Sequence, residues 1–170
     1  MIVVLASGEG SNFSAIVDSG IKVNRLITNN PNANVINRAR DSQIFYGVSR
    51  HSDLDTVIPE NADLVVLAGY DRVLNASTCE KFHRRIINIH PSLLPAFAGT
   101  LHAIEESYNY GVKVMGVTIH YVTAEVDAGE IIEQAAIPVE GTLEEMENKI
   151  HKLEHKLLPK TIKKLLNGRT

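Results

Sequence analysis

Short, wholly apolar runs separated by helix-length stretches constrain this chain most. Ile2-Val3-Val4-Leu5-Ala6 and Leu64-Val65-Val66-Leu67-Ala68 carry no polar residue at alternate places. A strand sends successive side chains to opposite faces, so such runs need cover on both sides. Val23 to Thr28, Ile44 to Val48, Asp63 to Ala68 and Arg85 to Ile89 read as further strands. Ser11 to Val17, Val35 to Asp41 and Asn75 to His83 read as helices between them, with Ser11 available as a cap for the first. Alternation of this kind predicts β-α-β units in a doubly wound, mostly parallel sheet, an α/β fold.

The later half changes pattern. Lys113 to Val122 and Ile131 to Val139 are β-rich and joined by Thr123 to Glu130, which fits neighbouring strands, with antiparallel pairing open. Thr142 and Glu145 form a capping-box signature. Leu143, Met146, Ile150, Leu153 and Leu157 follow at helical spacing, predicting a long C-terminal amphipathic helix. Pro159 is expected to kink or interrupt it.

A chain of 170 residues, 44% hydrophobic and 22% charged, has the size and balance of one globular domain. The net charge of −3 argues against nucleic acid as a partner. The basic residues from Lys149 to Arg169 read as a solvated helix face. No apolar run approaches membrane-spanning length, and Ile2 to Ala6 is too short for a signal sequence. Cys79 is the single cysteine, which excludes a disulfide framework and a cysteine metal cluster. A cytoplasmic protein is expected, a monomer or homodimer, with no nucleic-acid or membrane partner.

Gly8-Glu9-Gly10-Ser11-Asn12 lies between the first strand and the first helix. Glycines there allow close backbone approach, and a helix N-terminus offers unpaired N–H groups to an anion. Phe13 stands where a dinucleotide fingerprint needs its third glycine, and no Gly-Lys-Ser/Thr follows. A single phosphate fits best; a plain strand-to-helix turn is the competing account.

Asn88-Ile89-His90-Pro91 closes the run at Arg85 to Ile89. Residues two apart on a strand share a face, so Asn88 and His90 project together, and Pro91 turns the chain out. An amide and an imidazole side by side suit acyl transfer to an amine: one holds a developing oxyanion, the other moves protons. Two satisfied polar residues at a strand end remain the plainer account. Asp127, in Val126-Asp127-Ala128-Gly129, reads as turn chemistry or as a carboxylate facing His90, where it would favour the imidazolium.

His151-Lys152-Leu153-Glu154-His155 matches the inverted zincin pattern, but no acidic residue follows to complete a zinc site, so no metal is expected. His51, His83 and His102 read as surface residues. His120 alternates with Thr118 and Val122 and is either a core histidine or a cleft wall.

With these residues in hand, the chain resembles the folate-dependent formyltransferases, in particular the glycinamide ribonucleotide branch. The resemblance covers nearly all the chain and rests on Gly8 to Asn12, Leu67 to Tyr70, Asn88 to Pro95, Gly116 to Val122, Val126 to Gly129 and Glu154-His155. It implies a Rossmann-like formyltransferase fold and formyl transfer from 10-formyltetrahydrofolate, as co-substrate, to the amine of glycinamide ribonucleotide in purine synthesis. It implies Asn88, His90 and Asp127 as the catalytic three. Gly10, Ser11 and Asn12 match the phosphate-binding residues, Glu154 the ribose contact, and His151 falls at another phosphate-side contact. Asp71, Arg72, Val73 and Leu74, with Thr123, Ala124, Glu125 and Val126, match the folate wall. On this basis residues 1–83 form the nucleotide half of a single domain and 84–170 the catalytic and folate half.

Three departures bear on folate. The segment Ser52 to Ala62 is short and lacks a secure counterpart to a family arginine at the folate glutamate tail, although Arg50 or His51 lie nearby. Asp71 stands where the family commonly has methionine, and Ala98 replaces a proline often found before Gly99. The alternatives are another folate formyltransferase, of the methionyl-tRNA type; a formyltetrahydrofolate hydrolase; or a nucleotide-binding module with a decayed folate site. The first two usually carry an extra RNA-binding or regulatory domain, which these residues do not show.

Overall fold

The computed structural model describes residues 1–168. One seven-stranded sheet runs through the molecule in the order β3-β2-β1-β4-β5-β6-β7. Its strands are β1 (Ile2–Leu5), β2 (Arg25–Thr28), β3 (Tyr46–Val48), β4 (Leu64–Leu67), β5 (Ile86–His90), β6 (Val114–Tyr121) and β7 (Ile131–Pro138). Strands β1 to β5 pair in parallel; β5 with β6 and β6 with β7 pair antiparallel. The helices are α1 (Ser11–Asp18), α2 (Val35–Asp41), α3 (Leu54–Val57), α4 (Ala76–Lys81), α5 (Ala103–Tyr110) and α6 (Leu143–Asn167). This is the expected doubly wound α/β fold with its long C-terminal helix.

The apolar runs divide between two faces as strand geometry requires. Ile2, Val4, Leu64, Val66, Ile87 and Ile89 pack with Phe13 and Ile16 of α1, Val35 of α2, and Met146, Ile150, Leu157 and Ile162 of α6. Val3, Leu5, Val65, Leu67 and Ile86 face the other way, against Leu54, Ile58, Cys79 and Phe82. Burial at about 25 cal/mol per Å² of apolar surface makes these two layers the main stabilising term.

The chain leaves β1 toward β2 and β3, then returns to β4 on the opposite side of β1. The carboxyl ends of β1 and β4 therefore diverge into the crevice where α/β sheets bind ligands.

Two expectations need correction. Ser11 is the first residue of α1, not its cap; the cap position belongs to Gly10, in the left-handed region at φ 78°. Pro159 does not interrupt α6, which continues from Leu143 to Asn167. Pro159 is buried, and Thr161 Oγ1 donates to the Leu157 carbonyl just beyond. The expected capping box of Thr142 and Glu145 is present at the start of α6. Helix α5 was not foreseen: Ala103 and Ser107 are its only buried positions, and so short an apolar pattern gives little periodic signal. The short segment after β3 holds a 3-10 turn, His51–Asp53, and the single-turn α3.

Candidate active site

A cleft of about 490 Å³ opens at the carboxyl ends of β1, β4 and β5. It gathers segments far apart in sequence: the loop after β1, residues 67–74 after β4, the end of β5, the β6–β7 loop and one turn of α6.

At one end, α1 begins directly after the loop Gly8 to Asn12. A Cβ on Gly10 would lie 2.5 Å from Val35 Cγ2, and the residue already has positive φ, so both space and conformation demand glycine. The loop is held from outside the cleft. Val35 N–H donates to the Gly8 carbonyl at 3.0 Å, Arg38 Nε to the Glu9 carbonyl at 2.5 Å, and Arg38 Nη1 to Ser14 Oγ at 3.0 Å. Asn12 Oδ1 is buried without a protein partner, a polar atom left for a ligand or an ordered water. We expect Gly10→Ala to lower stability by about 1–3 kcal/mol, from strain and overpacking. Denaturant unfolding and nucleotide titration check this; unchanged values in both would contradict the loop's assignment.

Across from the loop, Glu154 is buried on α6 and accepts from His151 Nδ1 at 2.9 Å. That hydrogen bond, opposed by burial and aided by the Glu154 charge, raises the His151 pKa. Both side chains line the cleft. The pair accounts for the zincin-like spacing differently: His151 turns to Glu154, and no cluster of three metal-ligating side chains occurs among the described residues.

At the other end, Asn88 and His90 project from β5 on one face, as their spacing requires. The antiparallel register places His120 opposite Asn88 and Thr118 opposite His90. Asp127, with φ 52° in the β6–β7 loop, meets them. Its Oδ2 lies 3.4 Å from His90 Nδ1 and its Oδ1 lies 3.5 Å from His120 Nε2. Its full hydrogen bond comes from Gly99 N–H, at 2.8 Å to Oδ2. His120 first, then Gly99 and the charge of His90, hold the Asp127 carboxyl below the usual carboxylate range against the opposing effect of burial. The two ring distances are long for N–H···O bonds, and the short hydrogen bond to this carboxylate is the one from Gly99 N–H.

The ring orientations follow from their carbonyl partners. His90 Nε2 lies 2.8 Å from the Phe97 carbonyl and His120 Nδ1 2.9 Å from that of Tyr121. A carbonyl only accepts, so both nitrogens carry protons. His90 Nδ1 then faces Asp127, and His120 Nε2 sits between Asp127 and Asn88 Nδ2, 3.4 Å from the amide nitrogen. His120 is 2% exposed and lines the cleft; it is both a core residue and a wall. The loop carrying Phe97 is tied to β6 through Thr118 Oγ1, which donates to the Ser92 carbonyl and accepts from Leu94 N–H and Gln134 Nε2.

Asp71, Arg72, Val73 and Leu74 line the cleft after β4, and Thr123, Glu125 and Val126 line it from the β6–β7 loop. Ala124 is exposed and does not reach the wall. His83 and His102 are exposed, but His51 is half-buried, with Nδ1 3.0 Å from the Tyr70 hydroxyl. Burial, then the Asp71 charge, pushes Tyr70 up to about 12, so it remains a neutral donor in the cleft. Arg38, Phe97, Gly99, Thr118 and the bridging position of His120 escaped the sequence reading. Their roles arise from register and loop packing, not from a local motif.

The site thus offers the Gly8–Asn12 loop at the start of α1 at one end and an amide–imidazole–carboxylate group at the other. Residues 1–162 match the protein family described as formyl transferase. The chain belongs to this formyl transferase family. Among its relatives, a phosphoribosylglycinamide formyltransferase of Bacillus subtilis (strain 168) is 41% identical over 182 residues, covering 96% of this chain and 93% of that protein. Solved formyl transferase structures agree. Glycinamide ribonucleotide transformylase 1 from Symbiobacterium toebii matches with a TM-score of 0.93 and 37% identity, over 99% of this chain and 88% of that one. Phosphoribosylglycinamide formyltransferase from Anaplasma phagocytophilum matches with a TM-score of 0.89 and 39% identity, over 95% and 83% of the two chains.

Proposed function

We propose that this chain is an enzyme that transfers the formyl group of 10-formyltetrahydrofolate to the amine of glycinamide ribonucleotide, a step of purine biosynthesis. The observation that carries this is the single cleft joining the Gly8–Asn12 loop to Asn88, His90 and Asp127. Gly10, Ser11 and Asn12 hold the substrate phosphate at the start of α1, with Glu154 and His151 on the ribose and phosphate side. Asp71 to Leu74 with Thr123, Glu125 and Val126 hold the folate, mostly through backbone groups. The reduced folate is consumed as a co-substrate, and no metal enters the reaction.

The amine attacks the formyl carbon, forming a carbon–nitrogen bond and a tetrahedral oxyanion. Asn88 Nδ2 and a proton on His90 stabilise that oxygen. It is a stronger acceptor than the Phe97 carbonyl that holds His90 Nε2–H, and draws that hydrogen bond to itself. Asp127, 3.4 Å from His90 Nδ1, keeps the imidazole aligned. The proton lost by the amine passes, through His90 or a water beside Asp127, to the folate nitrogen as its bond to the formyl carbon breaks. No covalent enzyme intermediate is required. Holding both substrates across one cleft supplies much of the rate.

Residues 1–83 serve as the nucleotide half of one domain and 84–170 as the catalytic and folate half, although Asp71 to Leu74 and α6 each cross that division. No helix among the described residues is long and apolar enough to cross a membrane. The reading carries with it a cytoplasmic monomer or homodimer with no nucleic-acid partner.

Removing the phosphate from the nucleotide tests the loop. The dephosphorylated riboside should bind at least about tenfold more weakly, because charge-assisted bonds contribute roughly 1.5–3 kcal/mol each. Equal affinity by calorimetry would remove the phosphate assignment.

A further inference from the structure

Asp71 is a carboxylate in the folate wall, and formyl transfer as described above gives its side chain no task. Its side chain is 53% exposed, yet it is fixed. Asp71 Oδ1 accepts from Asn29 Nδ2 at 2.8 Å and lies 3.0 Å from Ser7 Oγ. Ser7 Oγ in turn accepts from Asp71 N–H at 3.1 Å. The three residues follow β4, β2 and β1 respectively, so one carboxylate oxygen stitches together the ends of three adjacent strands.

Where these partners lie gives the stitch its consequence. Ser7 is 6% exposed and is the residue from which the Gly8–Asn12 loop departs. Its backbone N–H donates to the Gly69 carbonyl at 3.0 Å, and its carbonyl accepts from Asn30 Nδ2 at 3.2 Å. Asp71 begins the 71–74 wall. Gly8 and Gly10 on one side and Gly69 on the other leave both segments few side-chain restraints of their own. Ser7 Oγ also lies 2.6 Å from Asn29 Oδ1, so Asp71, Asn29 and Ser7 form one side-chain network that ties the root of the nucleotide loop to the folate wall. Asn29 and Ser7 hold the Asp71 carboxyl below the usual carboxylate range, with Arg72 assisting, so the tie stays charged at all working pH values.

We propose that Asp71 is a positioning residue that couples the two substrate sites, so that occupancy of the nucleotide loop tightens folate binding and the reverse. Ligand placed against Asp71 removes water from a half-exposed charge-assisted network, which strengthens its bonds and fixes Ser7. A loop already fixed by one ligand costs less to order for the other. Thermodynamic linkage makes the effect equal in both directions. The proposal rests on the reading of the cleft as a two-substrate formyltransferase site.

The test is a binding cycle with a folate analogue that carries no transferable formyl group, titrated with and without glycinamide ribonucleotide, on wild type, Asp71→Ala, Asp71→Asn and Ser7→Ala. In wild type, nucleotide should tighten the analogue about five-fold or more, the lower end of common coupling strengths. Asp71→Ala and Ser7→Ala should each bring that factor to within about twofold of one, and the double variant should lose no more than either alone, as residues of one network do. Asp71→Asn keeps an acceptor oxygen and should retain part of the coupling. In turnover, Asp71→Ala should raise both KM values more than it lowers kcat. Coupling unchanged in Asp71→Ala, or a loss confined to kcat, would overturn the proposal, as would wild type that binds both ligands independently. A wild type that couples the ligands but transfers no formyl group would instead overturn the proposed reaction and leave the tie intact. Thermal unfolding of each variant separates loss of coupling from loss of fold.

Discussion

Asn88→Ala and His90→Ala should each lower kcat by about 10²-fold or more, the scale of one lost oxyanion donor or acid–base group. The two side chains leave β5 on the same face and border the cleft with Asp127. Neither lies near the Gly8–Asn12 loop along the chain, and the phosphate site is built from α1 and α6. Nucleotide affinity should therefore stay within about twofold, a difference below the energy of one hydrogen bond. Steady-state rates with parallel nucleotide titration separate these quantities. Near wild-type turnover in both variants would end the mechanistic assignment; a loss of nucleotide affinity matching the loss of rate would move the two residues into the binding site.

The second large effect is expected at Asp127. Asp127→Asn keeps the shape and removes the charge that faces two imidazoles. The replacement amide also cannot accept from Gly99 N–H and face both rings with oxygen, as the carboxylate does. We expect kcat/KM at neutral pH to fall about tenfold or more, comparable with one pKa unit of electrostatic support. The pH dependence has a definite sign. The folded-state pKa of Asp127 is lowered, so its stabilising charge is fully present above the ordinary carboxylate range and is lost only as pH falls through the lowered value. An activity limb near neutral pH in wild type therefore does not report Asp127. The stability difference between wild type and Asp127→Asn should shrink in acid, as pH falls through the lowered value. Urea unfolding across that range, beside the rate profile, checks both statements. Equal rates at pH 7 would contradict the role given to this carboxylate.

What was legible in the sequence followed from period and punctuation. The runs Ile2 to Leu5 and Leu64 to Leu67 read as doubly covered strands because every residue in them is apolar, and they are. Asn88 and His90 share a face because β geometry leaves no alternative once Pro91 ends the strand. The partners of these residues were not legible. Antiparallel pairing of β5 with β6 sets His120 against Asn88, and nothing local to His120 says so. Phe97 contributes a backbone carbonyl, which any residue type could supply, so its identity carries no signal. Arg38 reaches the Glu9 carbonyl from another helix. Pro159 suggested a break because a proline costs an isolated helix a hydrogen bond; buried packing around Leu157, Leu158 and Ile162 carries α6 through it. Ala124 was carried into the folate wall with its neighbours, but of Thr123 to Val126 it is the one that does not line the cleft.

The central claim is transfer of a formyl group between two substrates held in one cleft. Spectrophotometric turnover of 10-formyltetrahydrofolate, measured with and without glycinamide ribonucleotide, addresses it most directly. The account predicts folate turnover only when the nucleotide is present, with one formylated nucleotide formed for each tetrahydrofolate released. Turnover at the same rate without nucleotide would instead make the chain a hydrolase, and binding of nucleotide with no turnover of folate would make it a binding module; either result would contradict the account.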